Sequence, residues 1–186
     1  MLSSVKLPTN CQLGKYIFYE CDSLNEISIP EGTTSIYDTY PLDDDKEVDQ
    51  KNDGACLAGG AIEKITFESG VTKVPSHLCE GLTQLKTIEW GNVASLGYHA
   101  FNRCESLTTI ELPSKLICID GQAFKGCAIR SISLPNGLTQ IGYQAFQGSE
   151  LEQVVIPDSV KILGITNLAT EGAFEDCEKL TSVVLL

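Results

Sequence analysis

The chain has 186 residues, 42% of them hydrophobic and 20% charged, the balance of a chain that folds rather than one that stays disordered. Thirteen Lys and Arg against 25 Asp and Glu give a net charge of −12. That sign repels phosphate backbones and excludes nucleic acid as an expected partner, and no apolar run approaches the roughly 18 residues of a membrane helix, so no membrane insertion is expected.

Taken in chain order, the predicted elements recur. Residues 1–10, "MLSSVKLPTN", lack the basic and apolar regions of a signal peptide. The expectation is a protein that stays inside the cell or a piece of a longer chain. Leu7-Pro8 closes a first short apolar stretch, and Ile29-Pro30 closes the next. An acidic insertion at about 38–54 follows. The equivalent ends are then Phe67, Trp90, Leu112-Pro113, Leu134-Pro135 and Ile156-Pro157, evenly spaced along the chain. A second insertion at about 164–172 precedes the last end, Leu185. Seven units of about 22–23 residues result, a period typical of stacked coils. They are read as one domain over 1–186.

Each unit has the same internal order. In "LTTIEL" the last four residues alternate apolar and polar, as in a strand with one buried face. Proline ends that strand because it cannot donate to a continuing ladder. After a turn comes a second apolar-tipped piece, "LTQIG" at 138–142 or "VKIL" at 160–163, whose following glycine suggests a corner of unusual φ/ψ. Then come Ala100-Phe101, Ala123-Phe124, Ala145-Phe146 and Ala173-Phe174, varied earlier as Ile17-Phe18, Cys56-Leu57 and Leu78-Cys79. A unit this short cannot bury a core alone. Stacked, each coil covers the next, and Phe18, Phe101, Phe124, Phe146 and Phe174 are expected to form one buried column.

The phrase "AFxxCxxLTxIxLP" followed by "xxLTxIG" resembles the BspA-like leucine-rich repeats, also called the Treponema pallidum type. The resemblance covers nearly the whole chain, with its best copies between Tyr98 and Pro157. It implies a mainly β solenoid with little α-helix, a right-handed curved coil whose concave face is a parallel sheet. It also implies a surface or secreted setting and, for several family members, adhesion.

The remaining chemistry is sparse. Cys21, Cys104, Cys127 and Cys177 share one slot just after the Phe, a slot held elsewhere by Gly60, Leu82 and Ser149. Cys56 and Cys79 replace Ala and Phe. That pattern suits cysteine as a small buried hydrophobe, so all eight thiols are expected free and buried, although equivalent positions in adjacent coils lie within the range of a disulfide. No CxxC and no Cys/His cluster with zinc-like spacing is present. His77 and His99 occupy equivalent positions, shared with Tyr16, Gln122 and Gln144, and are read as a polar surface position. No GxSxG, HExxH, GxxxxGK[ST] or GxGxxG occurs, so the chain is not expected to be an enzyme; a dispersed site is the outside alternative. In the insertion, Asp43, Asp44, Asp45, Glu47, Asp49 and Asp53 could offer oxygens to calcium. Counting from Asp43, however, Val48 and Gly54 stand where an EF-hand loop needs glycine and glutamate. A solvated loop and no cofactor are expected.

Function is left to the extended surface. One outward row of the concave sheet is Glu26, Lys64, Thr87, Thr109, Ser131, Gln153 and Ser182. Its neighbour is Ser28, Thr66, Glu89, Glu111, Ser133, Val155 and Val184. Thr and Ser suit exposed strand positions in any case. As a site, the face would be shallow, for a protein or glycan and host extracellular matrix among them, without aromatic anchors. A structural spacer with no ligand of its own is the alternative. The final "TSVVLL" ends directly after its strand, so Val183 and Leu185 are expected to face inward. The edge is expected to be covered by further repeats or by edge-to-edge contact with a neighbouring chain.

Overall fold

In the computed structural model, residues 3–38, 55–164 and 172–186 are described. The acidic insertion beyond Asp38, with the calcium reading attached to it, lies outside the described residues, as does most of the second insertion. The strands are β1 (Gln12–Leu13), β2 (Glu26–Ile29), β3 (Thr34–Ser35), β4 (Lys64–Phe67), β5 (Lys73–Val74) and β6 (Thr87–Glu89). They continue as β7 (Ser95–Leu96), β8 (Cys118–Ile119), β9 (Gln140–Ile141), β10 (Gln153–Ile156), β11 (Ile162–Leu163) and β12 (Ser182–Leu185). One 3-10 turn at Ile36–Asp38 is the helix assigned among the described residues.

Every strand pairing is parallel, and the pairings fall into two ladders. On the concave side β2, β4 and β6 pair in order, and β10 pairs with β12. Single bridges mark the same face at Lys6–Ser28 and Thr109–Ser131. The ladder is therefore thinner than seven full strands. The second apolar-tipped piece of each unit builds the longer unbroken ladder, β5-β7-β8-β9-β11, while β1 pairs with β3. The turns between these sides are bonded from coil to coil as well. Phe101 N–H donates to Ala123 O at 2.8 Å, Phe124 N–H to Ala145 O at 2.8 Å and Phe146 N–H to Ala173 O at 2.9 Å. Each coil thus hands its backbone donors to the next, which leaves few polar groups unmet around the core.

The core is the predicted stack, with two corrections. Phe101, Phe124, Phe146 and Phe174 stack at centroid distances of 5.4, 5.5 and 5.4 Å with nearly parallel rings. Phe18 is buried too, whereas Phe174 at the far end is half-buried rather than buried, and Leu57 and Cys79 occupy the slot between Phe18 and Phe101, so the column of rings is interrupted. At Cys79 the missing ring volume is replaced from the strand side. Phe67 and Trp90 both meet Phe101 edge-on, at 6.4 and 5.5 Å. The second correction is at the C-terminal coil. Val154 and Ile156 are 2% and 3% exposed, whereas the equivalent Val183 and Leu185 are 50% and 70% exposed. The pattern is the same in both coils, but among the described residues nothing lies over the second.

Gly164, after the VKIL piece, has φ 62°, the unusual corner expected, but two other glycines play a different role. Gly97 and Gly142, after the second strand piece, are not at positive φ. A Cβ on Gly142 would lie 2.3 Å from Gly121 N, so the position is glycine because the preceding coil passes there. The left-handed corners fall just beyond, on the polar side chains of His99 and Gln144.

Candidate functional site

The family resemblance places function on the concave face. The observed register aligns Glu26, Lys64 and Thr87 in one row and Ser28, Thr66 and Glu89 in the other. Thr109 bridges Ser131, Gln153 pairs with Ser182 and Val155 with Val184. Lys64 and Thr66 are half-buried; Glu26, Ser28, Thr87, Glu89, Thr109, Glu111, Ser131, Ser133, Gln153, Val155, Ser182 and Val184 are exposed. Inward neighbours such as Ile27, Ile65 and Val154 are buried. Charge is partly paired within the face. Lys64 Nζ lies 2.9 Å from Glu89, and Thr66 Oγ1 donates to the same carboxylate at 2.9 Å.

A second arrangement departs from the sequence expectation. The position of Tyr16, His77, His99, Gln122 and Gln144 is not a polar surface position. All five residues sit in the left-handed region, with φ between 49° and 56°. His77 is 3% exposed and Gln144 is buried. From His77 onward the side chains meet along the coil axis, and the amides form a directed chain. Gln122 Nε2–H donates to Gln144 Oε1 at 2.7 Å, and Gln144 Nε2–H donates to Glu175 Oε2 at 2.8 Å. Gln122 therefore presents its carbonyl oxygen to His99 Nε2, which must donate. Glu175, an acceptor only, ends the chain on one side.

At the other end stands Glu80, 7% exposed. Its Oε2 accepts from His77 Nδ1 at 2.6 Å, and its Oε1 lies 3.3 Å from His99 Nδ1. Asn102 Nδ2 is 3.1 Å from the same ring nitrogen. Burial alone would raise the Glu80 pKa, but hydrogen bonding, from His77 first, outweighs it and brings the carboxyl down to about 2. Burial pushes the His99 imidazole below its ordinary range. Glu80 is thus ionised and His99 neutral near pH 7. The sequence does carry a signal: Glu80 follows His77 at the spacing of one turn, and His99 follows one period after His77.

The cysteines are free, as expected. Four are fully buried, but Cys11, Cys21, Cys118 and Cys177 are half-buried, which corrects the expectation for all eight. The shared slot has a specific use. The thiols of Cys104, Cys127 and Cys177 donate to the carbonyls of Cys79, Phe101 and Phe146 at 3.2, 3.1 and 3.2 Å. Each acceptor belongs to the Phe slot of the preceding coil. Burial raises the Cys79 and Cys104 pKa values well above normal, so these thiols are poor nucleophiles.

Parallel ladders, an internal ring column and repeated left-handed corners define a leucine-rich repeat solenoid. More specifically, the chain belongs to the BspA type leucine-rich repeat family, whose profile matches in six copies over residues 1–40 and 52–181. It is similar to the leucine-rich repeat protein of T. pallidum, with 32% identity, a TM-score of 0.59 and coverage of 69% of this chain and 60% of that one. It also resembles a leucine rich cell surface protein from Faecalibacterium prausnitzii, at 20% identity and TM-score 0.67, covering 94% of this chain and 42% of that one. A Bacteroides ovatus leucine-rich repeat protein matches at 20% identity and TM-score 0.64, over 94% and 52%. The chain spans about half the length of these solved proteins. None of the curated proteins matches it.

Proposed function

We propose that the chain is a non-catalytic interaction or adhesion module, displayed at a cell surface or secreted, that takes a protein or glycan ligand on its concave sheet. Host extracellular matrix proteins are within that class. The observation that carries this reading is the pair of outward rows, aligned in register across coils, with Ile27, Ile65 and Val154 buried between them. Solenoids work through such extended surfaces. The rows contain no aromatic side chain, which favours a broad contact of many weak terms over one deep anchor. The spacer alternative draws on a different observation: Lys64, Thr66 and Glu89 already satisfy one another.

A panel of immobilised matrix proteins and glycans tests the proposal, with the Thr109→Lys, Ser131→Lys double variant alongside. A ligand held by the wild type and weakened at least tenfold by the double variant supports the concave site. Binding to nothing on a broad panel, or binding indifferent to the variant, favours the spacer. The exposed apolar residues Val183 to Leu186 are proposed as an edge that a neighbouring chain covers. Light scattering across a concentration series reads that contact.

A further inference from the structure

Glu80 is a carboxylate buried within the stack of coils. A buried carboxylate is costly unless it is paired, and here its neighbours are imidazoles from two successive coils. His99 Nε2 is committed as a donor to Gln122, because Gln122 passes its own N–H on to Gln144. In the neutral ring Nδ1 then carries a lone pair, and it lies 3.3 Å from a carboxylate oxygen. Two acceptors at that distance do not stabilise one another. Metal–nitrogen and metal–oxygen bonds of about 2.0 to 2.2 Å in a tetrahedron put neighbouring ligand atoms about 3.4 Å apart. The His99–Glu80 pair already has that spacing.

We propose that His77, Glu80 and His99 bind a single divalent transition-metal ion of the zinc class, which cross-links the third and fourth coils. One ring nitrogen of His77, one of His99 and a carboxylate oxygen of Glu80 all lie within 4.8 Å of one another. The ring centroids of the two histidines are 4.7 Å apart. On binding, the ion takes the place of the proton at His77 Nδ1, the ring keeping its one proton at Nε2 as a neutral imidazole ligand does, and the short His77–Glu80 contact opens to ligand spacing. The outer arrangement is in place. A ligating histidine usually donates its other ring N–H to an acceptor, and His99 does so to Gln122. Asn102 Oδ1, buried without a hydrogen-bond partner, belongs to the amide whose nitrogen touches His99; a half-turn of that amide offers an oxygen. Two imidazoles and one carboxylate select zinc, cobalt or nickel over calcium and magnesium. The half-buried edge of His99 gives access from solvent.

The test uses the whole chain, stripped with chelator and titrated with zinc and with cobalt. Expected are one equivalent bound and a melting temperature raised by about 5 to 10 °C at a hundredfold excess over Kd. The cobalt form should show d–d bands without a thiolate charge-transfer band. His99→Gln, which extends the amide row already present at Gln122 and Gln144, should leave the metal-free melt unchanged and weaken zinc about 100-fold. No metal-dependent rise in the wild type, an equal rise in His99→Gln, or a thiolate band showing that cysteines hold the ion would each overturn the site. The wild-type cobalt spectrum decides the donor set even if a variant fails to fold.

Discussion

Two rows of side chains run side by side along the coil axis, one apolar and one polar, and they tolerate sequence change differently. The ring column accepts Phe, Leu or Cys in its slot because packing has no direction. At Cys79, Phe67 and Trp90 come in from the strand side to supply the missing volume. The polar row has a direction. Each amide donates toward Glu175, so every member depends on the orientation of the one before it. Substitution in the column changes a volume, whereas an apolar substitution in the row leaves a buried donor or acceptor stranded.

The largest effect should come from the column. Phe124 is fully buried between two stacked rings, and Phe124→Ala should cost about 3 to 5 kcal/mol in urea denaturation. A cost below about 1 kcal/mol would mean the rings do not carry the core. Next is the row. Gln122→Leu keeps the size but strands His99 Nε2–H and removes the donor to Gln144, at a cost of about 1 to 3 kcal/mol. If it is neutral, the row is not a chain.

A smaller effect is expected where neither row reaches. Asp38 joins the second and third coils, accepting Ser35 N–H at 3.0 Å, Ser76 N–H at 3.1 Å and Lys73 Nζ at 3.3 Å. Burial opposes its ionisation, but the two backbone donors and Lys73 outweigh that and lower its pKa. Because the folded value lies below the unfolded one, the stabilisation is full above about pH 4 and is lost as pH falls through the folded value. Asp38→Asn should cost about 1 kcal/mol at pH 7, and the gap from wild type should close on acidification below pH 4. A gap constant down to pH 2 would assign the loss to shape instead. Smallest of all, Thr109→Ala or Ser131→Ala on the concave face should stay within about 0.5 kcal/mol.

The same contrast explains what is legible in the sequence. A fixed apolar period is a one-dimensional signal, so spacing alone puts Phe101, Phe124 and Phe146 in one column. The concave rows follow from alternation, and their register holds from Glu26 to Thr87. The polar row is not legible in that way, because polarity in a sequence suggests exposure. Here the left-handed backbone at His77, His99, Gln122 and Gln144 sets those side chains against one another along the axis, and no composition rule flags a polar residue at positive φ. The exposed Val183 and Leu185 show the converse, since their inward pattern matches Val154 and Ile156 while burial depends on a covering coil.

Carboxyl footprinting tests directly the proposed division, in which the interior rows hold the coil together and the concave sheet takes a ligand. Carbodiimide labelling would be compared with and without a ligand captured from the panel. Glu26, Glu89 and Glu111 are exposed on the concave face, while Asp120 and Asp176 are exposed elsewhere, beside the second ladder and at a coil corner. The account predicts that the ligand suppresses labelling at the three concave glutamates and leaves the two aspartates unchanged. Protection at Asp120 or Asp176, with the glutamates still fully labelled, would contradict it.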